Sequence, residues 1–590
     1  MMSHYEYSFG ARLLAPDCTR FRLWAPGAAQ VELEVEGQAP QPMAALADGW
    51  FQAEAACGAG ARYRFRVGPD LAVPDPASRA QAGDVHDASI VCDPQSYRWR
   101  HPDWKGRPWH ETVLYEAHAG TAGGFSGLLR KLPGLAALGV TALELMPVAD
   151  FPGPRNWGYD GVLPYAPDAA YGTPDALRAL VDAAHGLGMM VFLDVVYNHF
   201  GPDGNYLSAY ADAFFRPDLP TPWGPAIDFG NPCVRDFFTE NAIYWLLEFR
   251  IDGLRLDAVH AIRQKDWLPE MAQRVRAAMP PGRHVHLVLE NDDNAAGLLA
   301  GRGFDAQWND DLHHALHVLL TGEGDGYYAA YTDRPAERLA RGLAEGFIYQ
   351  GETFAPSGEP RGEPSAGLPP TAFVAFLQNH DQVGNRAFGE RLGALADREA
   401  LRAAMALLLL SPQIPLLFMG EEAGAREPFL YFTSHPDPRL ADAVRSGRRG
   451  EFARFPAFSD PAARERIPDP NAEQTFLASI PGDGGPEGEA WREWMGRMLA
   501  TRHAHIVPRL PGARPLGAEA LGPGAVRARW RMGDGMTLTI LLNLGQESVA
   551  APGPAGQGAI VLAATGGASV ALANAGLPGR SCIAWMEGQP

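Results

Sequence analysis

Cysteine is scarce in this sequence and shows no regular spacing. The 590 residues contain five cysteines, an odd number with no CxxC pair: Cys18, Cys57, Cys92, Cys233 and Cys582. Such a pattern predicts neither a disulfide framework nor a zinc site. We therefore expect free thiols in a reducing compartment, which makes a cytoplasmic location the default.

Targeting signals, long apolar runs and excess positive charge are also missing. The opening stretch MMSHYEYSFG lacks the basic segment and apolar core of a signal peptide. The longest apolar runs, such as 405–410, are far shorter than the ~20 residues that cross a bilayer. The 50 Lys and Arg are outnumbered by 69 Asp and Glu, which gives a net charge of -19. We therefore expect no membrane and no nucleic acid among the partners, since a nucleic acid favours a basic patch.

The length exceeds that of one compact domain, so we predict three folded units. Residues 1–95 contain short runs of alternating apolar and polar side chains, for example at 31–35 and 63–67. A period of two predicts strands with one buried face, and hence a small N-terminal β domain. We expect it to be a β-sandwich of the immunoglobulin-like, carbohydrate-binding type. Similar runs at 526–530, 536–544 and 560–563 predict a C-terminal antiparallel β domain over 505–590.

Strands and helices alternate in the region between, residues 96–504. Apolar runs near positions 113, 140, 190, 254, 286, 305, 374 and 415 supply eight strand candidates. Helix signals separate them: Thr173, Pro174 and Asp175 give an N-cap hydroxyl, a first-turn proline and an acid that faces the helix dipole. The pattern predicts an α/β (β/α)₈ TIM barrel with a short insertion after strand three. Residues 355–370, rich in Pro and Gly, predict an exposed loop.

Polar side chains follow several of the predicted barrel strands, at the point where each strand ends. Asp194 follows strand three, Asp257 follows strand four, Glu290 follows strand five, and His380 and Asp381 follow strand seven. Barrel enzymes place their reacting groups at these C-terminal ends. A single acid there is equally typical of a structural ion pair, but four such ends together indicate an active site. Glycoside hydrolysis needs two carboxyls on either side of the scissile bond.

The neighbours of two carboxyls favour different roles for them. Arg255 lies two residues before Asp257 and shares its face of the strand, so the cation should keep Asp257 ionised, as a nucleophile must be. Glu290 follows the largely apolar run 286–289. Apolar surroundings raise the pKa of a carboxyl and suit a general acid.

Four motifs resemble, in order, the signature regions of the α-amylase superfamily. They are DVVYNH (194–199), GLRLDAVH (253–260), LVLEND (287–292) and FLQNHD (376–381). The resemblance implies that Asp257 is the nucleophile that forms a β-glucosyl–enzyme intermediate, Glu290 the acid/base and Asp381 the transition-state stabiliser. It further implies that a set of residues binds the substrate around them: Tyr159, Asp194, His199, Arg255, His260, His380, Gln382 and Asn385. Tyr159 would be a stacking platform for the sugar, although an aromatic ring packed under a loop is the alternative.

Longer stretches narrow the resemblance to the family of malto-oligosyltrehalose trehalohydrolases. They are residues 144–172, 287–294 and 304–328, and the similarity covers most of the chain. The family implies cleavage of the α-1,4 bond next to a terminal trehalose, with malto-oligosyltrehalose and related α-glucans as substrates. It also implies functional pairing with a malto-oligosyltrehalose synthase. Asp310 and His314 are predicted on the loop after strand six, in a wall that binds the trehalose end.

No cofactor and no metal are predicted. The histidines after strand six give no complete ligand set, so polar residues at a helix start or hydrogen bonds to a sugar are favoured over a metal there. The stretch after strand three is compact, whereas many α-amylases hold calcium in a longer insertion at that place. Residues 115–125 are a few residues shorter than the family pattern, which affects the expected shape of the first loop. Two alternatives remain: a glycogen branching or debranching enzyme of the same superfamily, and a non-catalytic carbohydrate-binding protein on the same barrel. The second would be expected to lose one of the three carboxylates.

Overall fold

A closed barrel of eight parallel strands forms the centre of the computed structural model, which describes residues 5–221, 224–554, 558–571 and 575–588. The strands are β1 Leu114–Ala117, β2 Ala142–Leu145, β3 Met190–Val195, β4 Gly253–Leu256, β5 His286–Leu289, β6 Ala306–Trp308, β7 Phe373–Ala375 and β8 Ile414–Phe418. The eight strand candidates of the sequence coincide with them. The predicted (β/α)₈ class is confirmed.

The interior of the barrel is filled by side chains from every second strand residue. Leu114 on β1, Ala142 on β2, Phe192 on β3 and Trp308 on β6 belong to one buried interior cluster. Successive side chains of a strand point to opposite faces. The residues two positions further along β1, β2 and β3 therefore face the same interior, and these are polar: Glu116, Glu144 and Asp194.

Helices connect the strands and cover the outside of the barrel. Thr173 caps one of them, because its Oγ1 accepts the N–H of Ala176 at 3.2 Å and Pro174 occupies the first turn, which confirms the predicted helix start. The longer described helices are Gly124–Leu138, Pro174–Gly186, Pro232–Glu248, Trp267–Ala278, Asp310–Thr321, Pro335–Glu345, Arg398–Leu410, Pro438–Glu451 and Gly485–Thr501. The shorter ones are Ala296–Leu299, His380–Gly384, Leu392–Leu395, Pro461–Glu465, Glu473–Ala478 and Ala568–Ala571. None of the described helices is both long and apolar enough to span a membrane.

Two antiparallel sheets precede the barrel. One contains Gly10–Ala15, Cys18–Trp24, Trp50–Ala55 and Ala44–Ala45, and the other contains Gln41–Pro42, Glu32–Val35, Arg62–Gly68, Leu71–Val73 and Ser89–Ile90. The apolar half of each alternating run is buried, as for Phe21, Leu33 and Phe65. The N-terminal β region is confirmed, whereas the domain boundaries stay predictions.

The chain ends in a five-stranded antiparallel sheet. Its strands, in spatial order, are Arg514–Gly522, Ala525–Arg531, Thr537–Asn543, Ser581–Glu587 and Ile560–Ala564. A separate pair joins Val549–Ala550 to Gly576–Leu577. The C-terminal β domain is confirmed, and two of the five strands, at 514–522 and 581–587, were not predicted.

Two connecting segments differ in detail from the simple expectation. The segment between β3 and the helix Pro232–Glu248 contains two paired antiparallel strands, Phe215–Thr221 and Gly224–Ile227. The predicted exposed loop at 355–370 is only partly exposed, because Arg361 and Ser365 within it are buried. Arg361 donates to Asp292 and Asp311, so a buried ion pair fixes a segment whose composition indicates a loop.

Candidate active site

Asp257 directly follows β4, and two donors hold its carboxylate. Arg255 Nη1 donates to Oδ1 at 2.7 Å and Asn198 Nδ2 donates to Oδ2 at 2.8 Å. Burial raises the pKa of Asp257, but the positive charge of Arg255, the neighbouring His199 and the two hydrogen bonds outweigh it and keep this pKa below its ordinary value. The site therefore contains an ionised carboxylate at the end of β4, as a nucleophile requires.

Glu290 directly follows β5 and lies beside the same arginine. Its Oε2 accepts the backbone N–H of Ala258 at 2.7 Å and lies 3.9 Å from Arg255 Nη2. Burial raises the pKa of Glu290, Arg255 lowers it, and the negative charges of Asp257 and Asp381 act with burial, so that this pKa stays above its ordinary value. Glu290 therefore keeps its proton to a higher pH than an ordinary glutamate, as a general acid should.

Asp381 lies in the short helix His380–Gly384 that follows β7. Asn379 caps this helix by accepting the N–H of Gln382 at 2.9 Å, which fixes the direction of the first turn. Asp381 is exposed, and its Oδ1 accepts a hydrogen bond from Asn385 Nδ2 at 2.6 Å. The third carboxyl is thus presented to an incoming ligand with one oxygen already oriented.

Tyr159 joins the ends of β3 and β7. Its hydroxyl donates to Asp194 Oδ2 at 2.6 Å and lies 2.8 Å from His380 Nε2, while its ring stacks on that of His380 at 5.1 Å. Arg255 Nη1 also donates to Asp194 Oδ2, at 2.8 Å. Burial raises the pKa of Asp194 to about 7, although Arg255 acts in the opposite direction. Tyr159, Asp194, Arg255, His380 and Asp257 therefore belong to one hydrogen-bonded network.

A carboxyl on β1, that of Glu116, fixes the position of His380. Glu116 accepts a hydrogen bond from the backbone N–H of His380 at 2.9 Å and another from its ring Nδ1 at 2.5 Å. Burial lowers the pKa of His380, but the charge and hydrogen bond of Glu116 more than reverse this and leave the pKa raised. The imidazole is held in one orientation beside Asp381.

The other two predicted histidines lie at the margins of this network. His199 Nε2 lies 3.0 Å from the carbonyl of Tyr159, and its Nδ1 lies 2.5 Å from Asn198 Oδ1. His260 lies in the turn after β4, where its Nδ1 accepts the N–H of Asp292 at 3.2 Å. His199 thus joins the loop after β3 to the loop after β2, and His260 joins the loops after β4 and β5. Their contact with a sugar stays a prediction.

Asp310 and His314 are placed differently from the prediction. Both belong to the first turns of the helix Asp310–Thr321, and not to a loop, because Asn309 caps that helix by accepting the N–H of Leu312 at 3.3 Å. Asp310 accepts a hydrogen bond from Gln382 Nε2 at 2.8 Å, so these two predicted residues do meet. Burial, followed by the charge of Glu290, raises the pKa of Asp310 well above its ordinary value. His314 is 9% exposed and stacks on Tyr331 at 4.8 Å.

The other two histidines of that helix, His313 and His317, pack against neighbouring side chains. His317 stacks on Tyr328 at 3.9 Å and lies 2.8 Å from Glu323 Oε2, while His313 Nδ1 lies 2.6 Å from the carbonyl of Leu377. Burial lowers the pKa of both His313 and His317. Among the described residues, no group of three or more His, Cys, Asp or Glu side chains is arranged to hold a metal ion. That the protein needs no metal stays a prediction.

Three supporting contacts were missed by sequence reasoning. Glu116 bonds to His380, and its carboxyl inside an otherwise apolar strand is a sequence signal from which a buried partner could have been predicted. Asn198 lies within the motif DVVYNH, where its bond to Asp257 went unassigned. Glu323 accepts hydrogen bonds from the two terminal guanidinium nitrogens of Arg386, at 2.7 and 2.9 Å. The two residues are 63 positions apart, and no local sequence pattern relates them.

The pairing of Arg255 with Asp257 predicts a defined pH response. Asp257 acts as a carboxylate, so activity falls as the pH drops through its pKa, and removing the cation raises that pKa. Arg255→Met is expected to move the acid limb of kcat/KM upward by about one pH unit or more, since an adjacent arginine lowers a carboxyl pKa by roughly 1–3 units. Arg255→Lys keeps the charge and should shift the limb less. An acid limb that stays in place in Arg255→Met would show that the arginine does not control Asp257.

A closed parallel barrel with carboxyls at the ends of β4, β5 and β7 is the arrangement of the α-amylase superfamily of glycoside hydrolases. Residues 100–216 match the family model described as the alpha amylase catalytic domain, and residues 513–583 match a domain of unknown function, DUF3459. A crystal structure described as an alpha amylase from Salmonella typhimurium is 45% identical, with a TM-score of 0.92 over 99% of this chain and 100% of that one.

Sequence relatives define the family within this superfamily. The malto-oligosyltrehalose trehalohydrolase of Deinococcus radiodurans is 44% identical over 472 residues, which cover 78% of this chain and 76% of that enzyme. The chain belongs to the malto-oligosyltrehalose trehalohydrolase family. The 1,4-alpha-glucan branching enzyme of Burkholderia thailandensis is more distant, with 28% identity over 73% of this chain and 56% of that enzyme.

Proposed function

We propose that this protein hydrolyses the α-1,4-glucosidic bond next to the terminal trehalose of malto-oligosyltrehalose, and so releases trehalose and a malto-oligosaccharide. The assignment of the substrate rests on the 44% identity to a trehalohydrolase over 76% of that enzyme's length. The geometry of Asp257, Glu290 and Asp381 supports the chemistry independently, because it provides one ionised and one proton-holding carboxyl beside a shared arginine.

In the first step, Asp257 attacks C1 of the glucosyl unit while Glu290 protonates the oxygen of the bond that breaks. The C1–O bond to trehalose breaks, an ester bond forms between C1 and Asp257, and trehalose leaves with the proton of Glu290. Arg255 and Asn198 orient the attacking carboxylate through the two bonds already described. Asp381 stabilises the positive charge that develops on the sugar.

In the second step, the Glu290 carboxylate takes a proton from water, and the oxygen of that water attacks C1. The ester to Asp257 breaks, the malto-oligosaccharide leaves with a hydroxyl at C1, and both carboxyls return to their starting states. Two displacements at the same carbon retain its configuration. Tyr159, with its ring fixed against His380, would stack on this sugar, and Asp310 with Gln382 would bind its neighbour.

A product assay with two substrates tests the function. Incubation with maltotriosyltrehalose is expected to give trehalose and maltotriose in equal amounts, and incubation with glycogen is expected to change nothing. NMR of the first-formed maltotriose should show the α anomer, because the reaction retains configuration. Altered branch points in glycogen without trehalose release would favour a branching or debranching enzyme, and a first-formed β anomer would exclude the two-step mechanism.

We further propose that the enzyme works in the cytoplasm together with a malto-oligosyltrehalose synthase. Its five cysteines are all free thiols, which is the usual state in a reducing compartment. An enzyme that consumes malto-oligosyltrehalose depends on a reaction that forms the α,α-linked end of that molecule. The pairing is therefore implied by the substrate, which itself rests on the family.

A further inference from the structure

Glu144 is a carboxyl inside the barrel that is not held by any described protein group. It lies on β2, in register with Glu116 on β1 and Phe192 on β3. Ala142, two residues earlier, belongs to the interior cluster, so the side chain of Glu144 faces the same interior. The residue is 1% exposed, and within the described part of the chain neither of its carboxyl oxygens has a hydrogen-bond partner.

Three further side chains of the barrel interior leave one polar atom each unpaired: Asp194 Oδ1, Arg255 Nε and Trp308 Nε1. The other oxygen of Asp194 bonds to Arg255 Nη1, and the guanidinium carbon of Arg255 lies 4.2 Å from the centre of a ring of Trp308. Buried polar groups of native proteins are nearly always hydrogen-bonded, either to protein or to ordered water. Unpaired polar atoms from neighbouring strands that share one interior therefore indicate internal water.

The charges around Glu144 determine its protonation state. Burial, then the charges of Glu116 and Asp194, raise the pKa of Glu144 well above its ordinary value, and Arg255 only partly opposes them. Arg255 is already shared between Asp194 and Asp257, and Glu116 is engaged by His380. No cation is therefore left to neutralise an ionised Glu144 among the described groups that act on it.

We propose that Glu144 is a neutral carboxylic acid that binds a small cluster of internal water beneath the sugar site. Its O–H donates to one water of the cluster, and the waters of the cluster between them donate to Asp194 Oδ1 and accept from Arg255 Nε and Trp308 Nε1. Glu144 is thus a positioning residue for the Asp194–Arg255 pair that holds Asp257. A neutral group is needed there, because a further carboxylate would compete with Asp257 for Arg255. The inference adds to the proposed hydrolase function, but its first test does not depend on activity.

Infrared difference spectroscopy tests the protonation state directly. The spectrum of the wild-type protein minus that of Glu144→Gln, at neutral pH, is expected to show the C=O stretch of a protonated carboxylic acid. A carboxylate band in its place would overturn the proposal. A high-resolution crystal structure is expected to show ordered water within hydrogen-bonding distance of both Glu144 and Asp194, and a dry interior there would also overturn it.

The pH dependence of hydrolysis separates positioning from a merely structural role. Glu144→Gln keeps a neutral side chain that still bonds to water, so kcat/KM should stay within about threefold, with both pH limbs unchanged. Glu144→Leu removes the water's partner and destabilises ionised Asp194, so kcat should fall about tenfold and its acid limb should move to higher pH. A moved limb in Glu144→Gln would show that Glu144 is charged. Equal losses of activity in both variants, with the limbs of the pH profile unmoved, would show that Glu144 has only a structural role.

Discussion

Asp257→Ala is expected to lose nearly all turnover, with kcat lower by roughly 10⁴-fold or more. The carboxylate at this position forms the covalent bond to C1 in the proposed first step, and no neighbouring group occupies its place. Binding should change less, because the remaining contacts to the substrate persist. Trehalose release from maltotriosyltrehalose, followed over hours at high enzyme concentration, measures the residual rate.

The variant is expected to remain folded, which makes the loss interpretable. Arg255 keeps its bond to Asp194 at 2.8 Å when Asp257 is removed, so the buried cation is not left unpaired. Asp293→Ala is a matched control, since Asp293 lies in the loop after β5 and, among the described residues, its carboxylate pairs with the exposed Lys265 at 3.4 Å. Equal melting temperatures with full activity in Asp293→Ala would complete the control. Wild-type turnover in Asp257→Ala would instead contradict the enzymatic assignment of these carboxyls.

The barrel could be predicted from sequence because its strands carry two independent signals. They are short apolar runs that are buried on both faces, as parallel strands between helices are, and they are separated by helix starts such as Thr173. The C-terminal sheet was predicted less completely. Its edge strand Arg514–Gly522 is mostly exposed and contains Pro and Gly, and the buried strand Ser581–Glu587 has no alternation that distinguishes it from other buried segments.

Within the active site, contacts between residues close in sequence could be predicted. Most contacts between residues distant in sequence could not. The pairing of Arg255 with Asp257 follows from strand geometry, because side chains two positions apart share one face. The bond of Glu116 to His380 spans 264 residues and depends on barrel closure, which pairs β1 with β8 and so brings β1 near the end of β7. Asn309 is typical of both turns and helix N-caps, so the sequence alone did not decide between a loop and a helix start at Asp310.

Glu290→Gln is expected to lower kcat/KM for malto-oligosyltrehalose by about 10²–10⁴-fold, the usual contribution of a general acid. The amide cannot donate a proton to the departing sugar, yet it keeps the size of the side chain. A substrate whose leaving group needs no proton, such as α-glucosyl fluoride, should therefore form the covalent intermediate at a rate much closer to that of the wild type. Stopped-flow measurement of fluoride release determines this rate.

The second step gives a complementary expectation for the same variant. Without the Glu290 carboxylate, water is not activated, so the intermediate on Asp257 should accumulate. Azide attacks without giving up a proton, and it should restore turnover of the fluoride and yield α-glucosyl azide. Asp257→Ala forms no covalent intermediate, so any product that it gives with azide should be the inverted β-glucosyl azide. If Glu290→Gln lost equal activity on both substrates and azide gave no product, the acid/base role would have to pass to another carboxyl, of which Asp310, with its raised pKa and bond to Gln382, is the next candidate.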